Sequence, residues 1–311
     1  MNSVGYLGKK LLSTLASNFT KDAEEKEKLN KLCDNLQEDV ANKHVTLLDI
    51  MNQYKSIEID LGSLIEILKP LQPRLYTICS SSVIDPNHVS ICIKLEQEER
   101  ISEATDDQKE PDDEDTSKNF KFTGVCSNYF VQSKVNNLFQ FYMEESKFKL
   151  PSHKVPVIMI GVGAGLAPFA AFIDEGDASI KSKSKITKQD FGEWWLFFGC
   201  RYKDGDYIYK EKLENSYNDE DGVLDKLKIA FSREQKKKIY VQNLIEDNRE
   251  ELWEIIHDKK ARIYVCGGVA MGKAVRETFT KIFTFYDDSK DGHKYLDDLL
   301  KRDIYVQELW G

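Results

Sequence analysis

Three glycines stand at alternate positions where the chain could bind a phosphate. Gly161, Gly163 and Gly165 follow a short apolar run and precede a second apolar segment that contains Pro168. Glycine lets a backbone turn tightly and approach a ligand closely, and proline is tolerated in the first turn of a helix. The pattern predicts a buried strand, a sharp turn and a helix whose N-terminus could bind a pyrophosphate. Because the spacing is not G-x-G-x-x-G, phosphate binding and a purely structural turn stay equally open.

A basic run between Ser232 and Gln242 could bind another phosphate. It places Arg233, three consecutive lysines ending at Lys238, and Tyr240 beside a hydroxyl and an amide. Arginine can bind a phosphate bidentately, lysine adds a point charge, and tyrosine can stack on an adenine. Taken alone, the run is explained more simply as the solvated basic end of a helix.

Two single residues could take part in redox chemistry but also have ordinary explanations. Cys266 ends a strongly apolar run, where a cysteine is usually inert packing. Trp310 is the penultimate residue, and an aromatic so close to a terminus often only anchors the chain. The six cysteines are scattered without a C-x-x-C pair, which favours a reducing compartment and indicates neither a disulfide framework nor a metal site.

Composition narrows the class of protein. A length of 311 residues suggests about two domains, and a net charge of −9 argues against a general nucleic-acid binder. No apolar run approaches the roughly 20 residues of a membrane span, and the N-terminus lacks a signal-peptide pattern. These observations lead us to expect a soluble cytoplasmic protein, or a soluble piece of a longer one, without a membrane span.

The first quarter of the sequence has the spacing of helices. Residues 1–72 repeat leucines at helical intervals and predict a helical scaffold without visible chemistry. Asp60 or Ser63 could cap the last of these helices, which Pro70 would end.

The next stretch changes to strand-like patterns. Residues 74–82 and 89–95 have the composition of strands. Residues 96–118 are nearly all charged or polar and predict a flexible surface insertion rather than an acidic binding site. Residues 122–127 begin a strand or a capping turn, and a helix is predicted over 128–139.

From residue 155 onward, strands and helices alternate. Strands are predicted over 155–160, 193–199, 238–241, 262–266 and 304–310, and helices over 168–175, 209–217, 224–231, 249–256, 271–285 and 294–301. This alternation predicts βαβ units and a parallel sheet, in which ligands bind beyond the carboxyl ends of the strands. The glycine turn and the loops at Cys200-Arg201, Ser232-Arg233 and Cys266-Gly267 are therefore expected to converge on one edge.

Seven segments follow one another in an order typical of one family. They are R-L-Y-T-I-C-S-S-S, G-V-C-S-N-Y, G-V-G-A-G-L-A-P-F, F-F-G-C-R, A-F-S-R-E-Q-K-K-K-I-Y-V-Q, I-Y-V-C-G-G and E-L-W-G. In these segments the sequence resembles the C-terminal module of the diflavin reductases, from about Lys28 to the C-terminus. That family includes reductases of the cytochrome P450 reductase type, the sulfite reductase flavoprotein and fusions such as pyruvate:NADP oxidoreductase.

The resemblance implies a ferredoxin–NADP reductase-like α/β fold. A parallel-sheet NADP-binding domain at 151–311 would follow a partial antiparallel FAD β-barrel at 73–150, which contains the insertion at 96–118. Residues 1–72 would form part of a helical connecting segment. Further barrel strands, and a flavodoxin-like domain that binds FMN, are expected upstream of this sequence.

The resemblance implies that FAD is one cofactor. Arg74 would bind its pyrophosphate, Tyr76 would lie flat on the isoalloxazine, and the Thr77 hydroxyl would lie near the flavin N5. Cys92, Ile93 and Lys94 would form the next strand at the FAD. The turn that holds the FAD phosphates would be formed by Gly124, Val125, Cys126 and Ser127.

The resemblance also implies NADP(H), and NADPH rather than NADH. The NADP site would include the glycine turn (Gly161, Gly163, Ala164 and Gly165), and Cys200 and Arg201 would flank the nucleotide. The pocket for the 2′-phosphate and adenine would be formed by Ser232, Arg233, Lys238, Tyr240 and Gln242. Cys266 and Met271 would complete the NADP site. For hydride transfer, Thr77 and Cys266 would lie at the reacting rings and Glu308 would supply a carboxylate. Trp310 would cover the flavin face opposite Tyr76 and move aside before the nicotinamide stacks.

Four positions depart from the usual family pattern. Ala164 stands where a threonine is usual, and Gly268 where many members have aspartate. Thr77 replaces a commoner serine and Glu308 a commoner aspartate, both with similar chemistry.

The sequence therefore predicts an enzyme that passes a hydride between NADPH and FAD. Electrons would continue through an FMN domain, in the same or another chain, to a haem or metal-centre acceptor. Alternatives are the reductase module of a fused enzyme, with electrons running to or from NADP, and a stand-alone ferredoxin–NADP-type reductase. A non-catalytic NADP-binding or docking fragment would have no need of Thr77, Cys266 or Trp310.

Overall fold

A computed structural model of the chain describes residues 7–68, 70–101, 119–182 and 186–310. The described residues fall into two compact units. One contains the described parts of residues 1–75 and 94–138, and the other those of 76–93 and 139–311.

The N-terminal part of the first unit is helical, which confirms that prediction for the described part of 1–72. Four helices and two short π-helical turns make it up: α1 Lys9–Thr14, π-turn Leu15–Phe19, α2 Ala23–Asp34, π-turn Leu36–Ala41, α3 Leu47–Gln53 and α4 Leu61–Ile67. The Asp60 side chain accepts the backbone N–H of Ser63 at 3.0 Å, as a helix N-cap does. Buried, mostly aliphatic side chains, among them Leu12, Leu29 and Ile50, form the core.

The first unit ends in a β-hairpin and a helix. Strands β1 (Gln97–Ile101) and β2 (Asn119–Thr123) pair antiparallel, so the predicted insertion at 96–118 was wrong at its start. Its remaining residues, 102–118, lie outside the described residues. Helix α5 (Val125–Gln132) stops seven residues before the predicted end because a turn follows, in which Asn137 Oδ1 accepts the backbone N–H of Lys134 at 2.7 Å.

The two strands predicted at 74–82 and 89–95 were wrong. These segments share a single antiparallel bridge between Ile78 and Ile91, together with a 2.9 Å hydrogen bond from Cys79 N–H to the Ser90 carbonyl. A strand needs a partner along its length, and neither segment has another one among the described residues.

The second unit is built on a five-stranded parallel sheet. Its strands are β3 Val157–Val162, β4 Trp194–Cys200, β5 Lys226–Phe231, β6 Arg262–Gly268 and β7 Tyr305–Trp310. Its helices are α6 Ala167–Lys181, α7 Lys210–Asn218, α8 Val241–Asp247, α9 Arg249–His257, α10 Val269–Tyr286 and α11 Gly292–Lys301. The spatial order β5-β4-β3-β6-β7 reverses direction between β3 and β6, as in doubly wound folds. With the antiparallel hairpin, this sheet confirms the ferredoxin–NADP reductase-like α/β fold.

One edge strand lies earlier in the chain than predicted. Residues 224–231, predicted as a helix, contain β5, and 238–241, predicted as a strand, lead into α8. Apolar residues at 224, 227 and 231 fit a helix, whereas those at 227, 229 and 231 fit a strand equally well. The open edge of β4 decides the outcome, since it pairs with six residues from Lys226 to Phe231.

Helices cover both faces of the sheet. Every residue of β4 is buried; Trp195 and Phe197 face α8 to α11, while Trp194, Leu196 and Phe198 face α6 and α7. Burial of each such side chain contributes about 1.5–3 kcal/mol to folding. Among the described residues, every helix is too short or too polar to cross a lipid bilayer.

Candidate functional site

The three glycines after β3 have different surroundings. A Cβ atom on Gly165 would lie 2.1 Å from the Cys266 carbonyl oxygen, and one on Gly161 would lie 2.9 Å from the Gly165 carbonyl oxygen. Gly163 has a φ of +56° and no heavy atom within 4 Å of where its Cβ would be. Gly161 and Gly165 are therefore required for close packing, whereas Gly163 gives a left-handed turn with open space above it.

Two helix N-termini begin at the reversal of strand order. A short 3₁₀ turn (Gly163–Leu166, including Ala164) joins β3 to α6, and α10 begins directly after β6. Neither helix has a hydrogen-bonding side-chain cap. Ala167 N–H already donates to the Ala164 carbonyl and Pro168 has no N–H, so the uncapped N–H groups at this switch point are those of the 3₁₀ turn and of the start of α10. They are available for an anion where ligands bind in such sheets. Met271 lies in the first turn of α10, half-buried.

Cys266 lies in a row that crosses three strands. It pairs with Gly161 on β3 and with Glu308 on β7. Its side chain is fully buried, and burial, followed by the neighbouring Glu308 charge, raises the pKa of the Cys266 thiol. The thiol is therefore neutral and enclosed in the structure.

The Glu308 carboxylate accepts hydrogen bonds from two hydroxyl groups. Thr77 Oγ1 donates to Glu308 Oε2 at 3.3 Å, and Ser146 Oγ donates to Glu308 Oε1. Two residues further along, Trp310 ends β7 opposite Gly268 with 42% of its surface exposed. A carboxylate, two hydroxyls and an exposed indole thus lie on one edge of the sheet.

The segment that contains Thr77 has a second hydrogen bond within the same unit, to the residue that precedes α7. Tyr209 Oη donates to the Cys79 sulfur at 3.2 Å. Tyr76, Cys92 and Ile93 are half-buried in the same unit, and burial raises the pKa of the Cys92 thiol. The predicted roles of these three residues at the flavin stay predictions.

The loops after β4 and β5 are fixed by backbone hydrogen bonds. The Asp206 carboxylate accepts the N–H groups of Arg201 and Tyr202 at 2.7–3.0 Å. The Cys200 carbonyl accepts both the N–H (2.9 Å) and the hydroxyl (3.2 Å) of Ser232. Burial, with smaller contributions from Asp206 and Glu234, raises the pKa of the Cys200 thiol to about 12. Cys200 therefore contributes its backbone to this edge, and its thiol packs inside.

The cations of these loops face solvent. Arg201, Arg233 and Lys238 are exposed, and none has a carboxylate within 4.0 Å in the part of the chain that the structure describes. Tyr240 is 42% exposed just before α8, and Gln242 is half-buried in the first turn of that helix. These side chains are free to bind an anion and an aromatic base.

The remaining predicted FAD residues belong to the first unit. Arg74 Nη1 donates to the Gln72 carbonyl, while its Nη2 is buried and has no hydrogen-bond partner in the described ranges. Lys94 pairs with Glu96 at 3.1 Å. Helix α5 starts at Val125, with Cys126 half-buried in its first turn and no side-chain cap on its N-terminal N–H groups.

Gly124 and Ser127 hold the start of α5 against the chain before β1. The Ser127 hydroxyl donates to the Gly124 carbonyl at 3.3 Å and accepts the N–H of Glu96 at 3.2 Å. A Cβ on Gly124 would lie 2.8 Å from the Ser127 oxygen. Both residues therefore position the helix N-terminus, and the Ser127 hydroxyl is already engaged.

Three residues of this site were missed from the sequence. Ser146 has no recognisable pattern around it, and only the fold brings it to Glu308. The carboxylates of Asp206 and Glu234 accept backbone N–H groups, and the Glu234 carboxylate accepts the N–H of Lys203 at 2.7 Å. The D-G-D turn at residues 204–206 is a signal that could have identified Asp206 as a loop anchor.

Comparison with known proteins matches both halves of the chain. Residues 3–129 match an FAD binding domain, and residues 159–277 match an oxidoreductase NAD-binding domain. The chain is 34% identical over 282 residues to NADPH–cytochrome P450 reductase of Rattus norvegicus, and 33% identical to the proteins of that name from Mus musculus and Homo sapiens. Each alignment covers 87% of this chain and 38% of the relative, so the chain spans less than two fifths of these proteins' length.

Proposed function

Since this chain belongs to the diflavin reductase family, as its C-terminal FAD- and NADP-binding module, we propose that it is an NADPH-dependent flavoprotein reductase. The observation that supports this best is the row Gly161–Cys266–Glu308 across three neighbouring strands. It lies at the open turn that contains Gly163 and includes a carboxylate that accepts hydrogen bonds from two hydroxyls. A nucleotide phosphate and a reacting ring would both bind at that edge of the sheet.

The nucleotide is NADPH in this proposal. Its pyrophosphate lies at Gly163 and the 3₁₀ turn before α6, whose backbone N–H groups have no side-chain cap. Its 2′-phosphate lies between Arg233 and Lys238, with Tyr240 against the adenine. Support comes from the exposure of these side chains and from the loops that Asp206 fixes.

The residues of the first unit fit an FAD pyrophosphate. Arg74 Nη2 is a buried donor without a hydrogen-bond partner among the described residues, and an unsatisfied buried donor is costly unless a ligand completes it. The N-terminus of α5 offers further N–H groups. When bound, FAD can accept two electrons together as a hydride and release them one at a time. Thr77, Glu308 and Cys266 would surround the reacting rings, and Trp310 would shield them.

The electron partners are part of the same proposal. We propose that an FMN-binding domain takes electrons from this module and passes them to a haem or metal-centre acceptor. A cytoplasmic location is proposed with it, supported by six cysteines that are all free thiols.

Binding of 2′-AMP tests the nucleotide half without FAD. Arg233→Ala should weaken 2′-AMP binding by at least about tenfold, because one charge-assisted hydrogen bond contributes about 1.5–3 kcal/mol. Isothermal titration calorimetry measures the affinity, and 5′-AMP should be unaffected. Arg302→Ala is the matched control, since it removes an exposed arginine that precedes β7 at the opposite edge of the sheet. Equal affinities for the wild type and Arg233→Ala would place the 2′-phosphate elsewhere.

Reconstitution tests the reaction itself. The purified chain with FAD should show flavin absorbance and reduce ferricyanide with NADPH as electron donor. Flavin absorbance without NADPH oxidation would reject the reductase function and leave the FAD site intact. Neither signal, with 2′-AMP still bound, would favour a nucleotide-binding fragment.

A further inference from the structure

Ser146 contacts the site from outside the sheet. It lies in the irregular segment between α5 and β3, is half-buried, and donates its hydroxyl proton to Glu308 Oε1. The other oxygen of the same carboxylate accepts from Thr77 at 3.3 Å. Glu308 therefore connects two hydroxyls that are 69 positions apart in the sequence (146 − 77).

The position of Ser146 is itself fixed. Its Oγ accepts the backbone N–H of Phe148 at 2.9 Å. The Phe148 ring packs against Phe169, Phe172 and Tyr264, with ring centroids 5.3–6.5 Å apart. Tyr264 Oη in turn donates to the Lys149 carbonyl. The serine is thus anchored to α6 and β6 rather than free to follow Glu308.

The arrangement dictates how Thr77 can bond to a ligand. An ionised carboxylate only accepts hydrogen bonds, so the single Thr77 hydroxyl proton is directed at Glu308. The Thr77 oxygen then offers only lone pairs to any group in the site. If Glu308 lost its second anchor, its carboxylate could rotate and release the Thr77 proton.

We infer that Ser146 is a positioning residue: it holds Glu308 so that Thr77 acts solely as a hydrogen-bond acceptor toward the ring that takes the hydride. This inference rests on the proposed function for the identity of that ring. An oxidised flavin accepts a hydrogen bond at N5, and a reduced flavin carries an N–H there. An acceptor-only hydroxyl beside it stabilises the reduced form.

The potential of bound FAD tests this directly. Ser146→Ala should shift the ratio of reduced to oxidised FAD about tenfold toward the oxidised form, which for a two-electron couple is about 30 mV more negative. Dye-coupled spectroelectrochemical titration measures it. Ser146→Thr, which keeps the hydroxyl, should restore the wild-type potential. Ser152→Ala is the matched control, since it removes an exposed serine hydroxyl six residues further along.

Kinetics give a second, separate measurement. Ser146→Ala should lower kcat about tenfold and raise the primary isotope effect with 4-deuterated NADPH, leaving KM and the 2′-AMP affinity unchanged. In a Glu308→Gln background, Ser146→Ala should add nothing, because the serine acts through Glu308. Additive losses, or an unchanged potential, would overturn the inference.

The result is separable from the proposed function. Wild-type protein that binds FAD but does not oxidise NADPH would reject the reductase activity, while the potential titration, which needs no NADPH, would still test Ser146. If Ser146→Ala does not fold, Ser146→Cys takes its place, because the thiol fills the position of the hydroxyl but is only a weak hydrogen-bond donor to Glu308. It should produce the same shift in potential, and an unchanged potential would again overturn the inference.

Discussion

Gly163 and Gly165 are two positions apart, yet the same substitution should have opposite consequences. Gly165→Ala would push a methyl group into the Cys266 carbonyl and should lower the free energy of unfolding by about 3 kcal/mol. Gly163→Ala meets no atom and should cost only about 1 kcal/mol, for the left-handed backbone. Urea denaturation measures both values.

Gly163→Ala should also change ligand binding. A methyl at residue 163 fills the open space above the turn, so Gly163→Ala should weaken NADP⁺ binding more than 2′-AMP binding, which does not involve the pyrophosphate. Calorimetry with the two ligands makes the comparison. Equal effects on both would mean that the turn does not contact the pyrophosphate.

At this scale the sequence was informative where a pattern existed. Thr77 and Glu308 were expected together from the family resemblance, and the structure joins them by a hydrogen bond. Ser146 could not be predicted, because its partner is 162 residues away and its neighbours carry no signal. For Cys200 the pattern suggested a ligand contact, but the thiol is enclosed and only its backbone faces the loops.

At the scale of elements, β4 shows what burial of a titratable group does to stability. The pKa of the Cys200 thiol is about 12 in the folded chain, against an ordinary value of 9.0 in the unfolded chain. Above pH 9 the unfolded chain loses this proton and the folded chain keeps it, so stability falls as pH rises.

The fall is measurable. Between pH 8 and pH 10, wild-type protein should lose about 1.4 kcal/mol more stability than Cys200→Ala, since the variant lacks the thiol. Urea denaturation of both proteins at the two pH values gives the difference. Parallel pH dependences would show that the thiol is not shielded in the folded state.

The sequence predicted elements well where they were long and periodic. Helices α9, α10 and α11 and strands β3, β4, β6 and β7 lie within a few residues of their expected positions. The errors fell on short segments with two compatible periods, as at 224–231, where an open strand edge decided the structure. They fell also on segments such as 74–82, which has a single β-bridge among the described residues, because a strand is stabilised by the strands that pair along its length.

For the whole molecule, the net charge and the local charge predict opposite effects of salt on nucleotide binding. A net charge of −9 repels an anionic nucleotide at long range, and salt would relieve that repulsion. The exposed cations Arg201, Arg233, Lys236, Lys237 and Lys238 attract it at short range. Because the Debye length is about 10 Å at 0.1 M salt, the nearby cations should dominate.

Affinity for 2′-AMP should therefore fall with ionic strength. We expect binding to weaken about threefold between about 0.05 M and 0.5 M sodium chloride. Calorimetry across this range measures the slope, and Arg233→Ala should flatten it. A rise in affinity with salt would mean that the overall negative charge governs binding.

The connectivity of the two units limits how this protein can be divided. The chain passes between them after Leu75, after Ile93 and after Leu138, so the short stretch 76–93 belongs with the sheet although residues of the other unit flank it on both sides. A gene fragment that begins at residue 139 would encode every strand of the sheet yet omit Thr77. The residues proposed for nucleotide binding and those proposed for redox chemistry are thus not separated at a single position in the sequence. Recombination could exchange the sheet between relatives only by carrying an 18-residue insert (76–93) along with it.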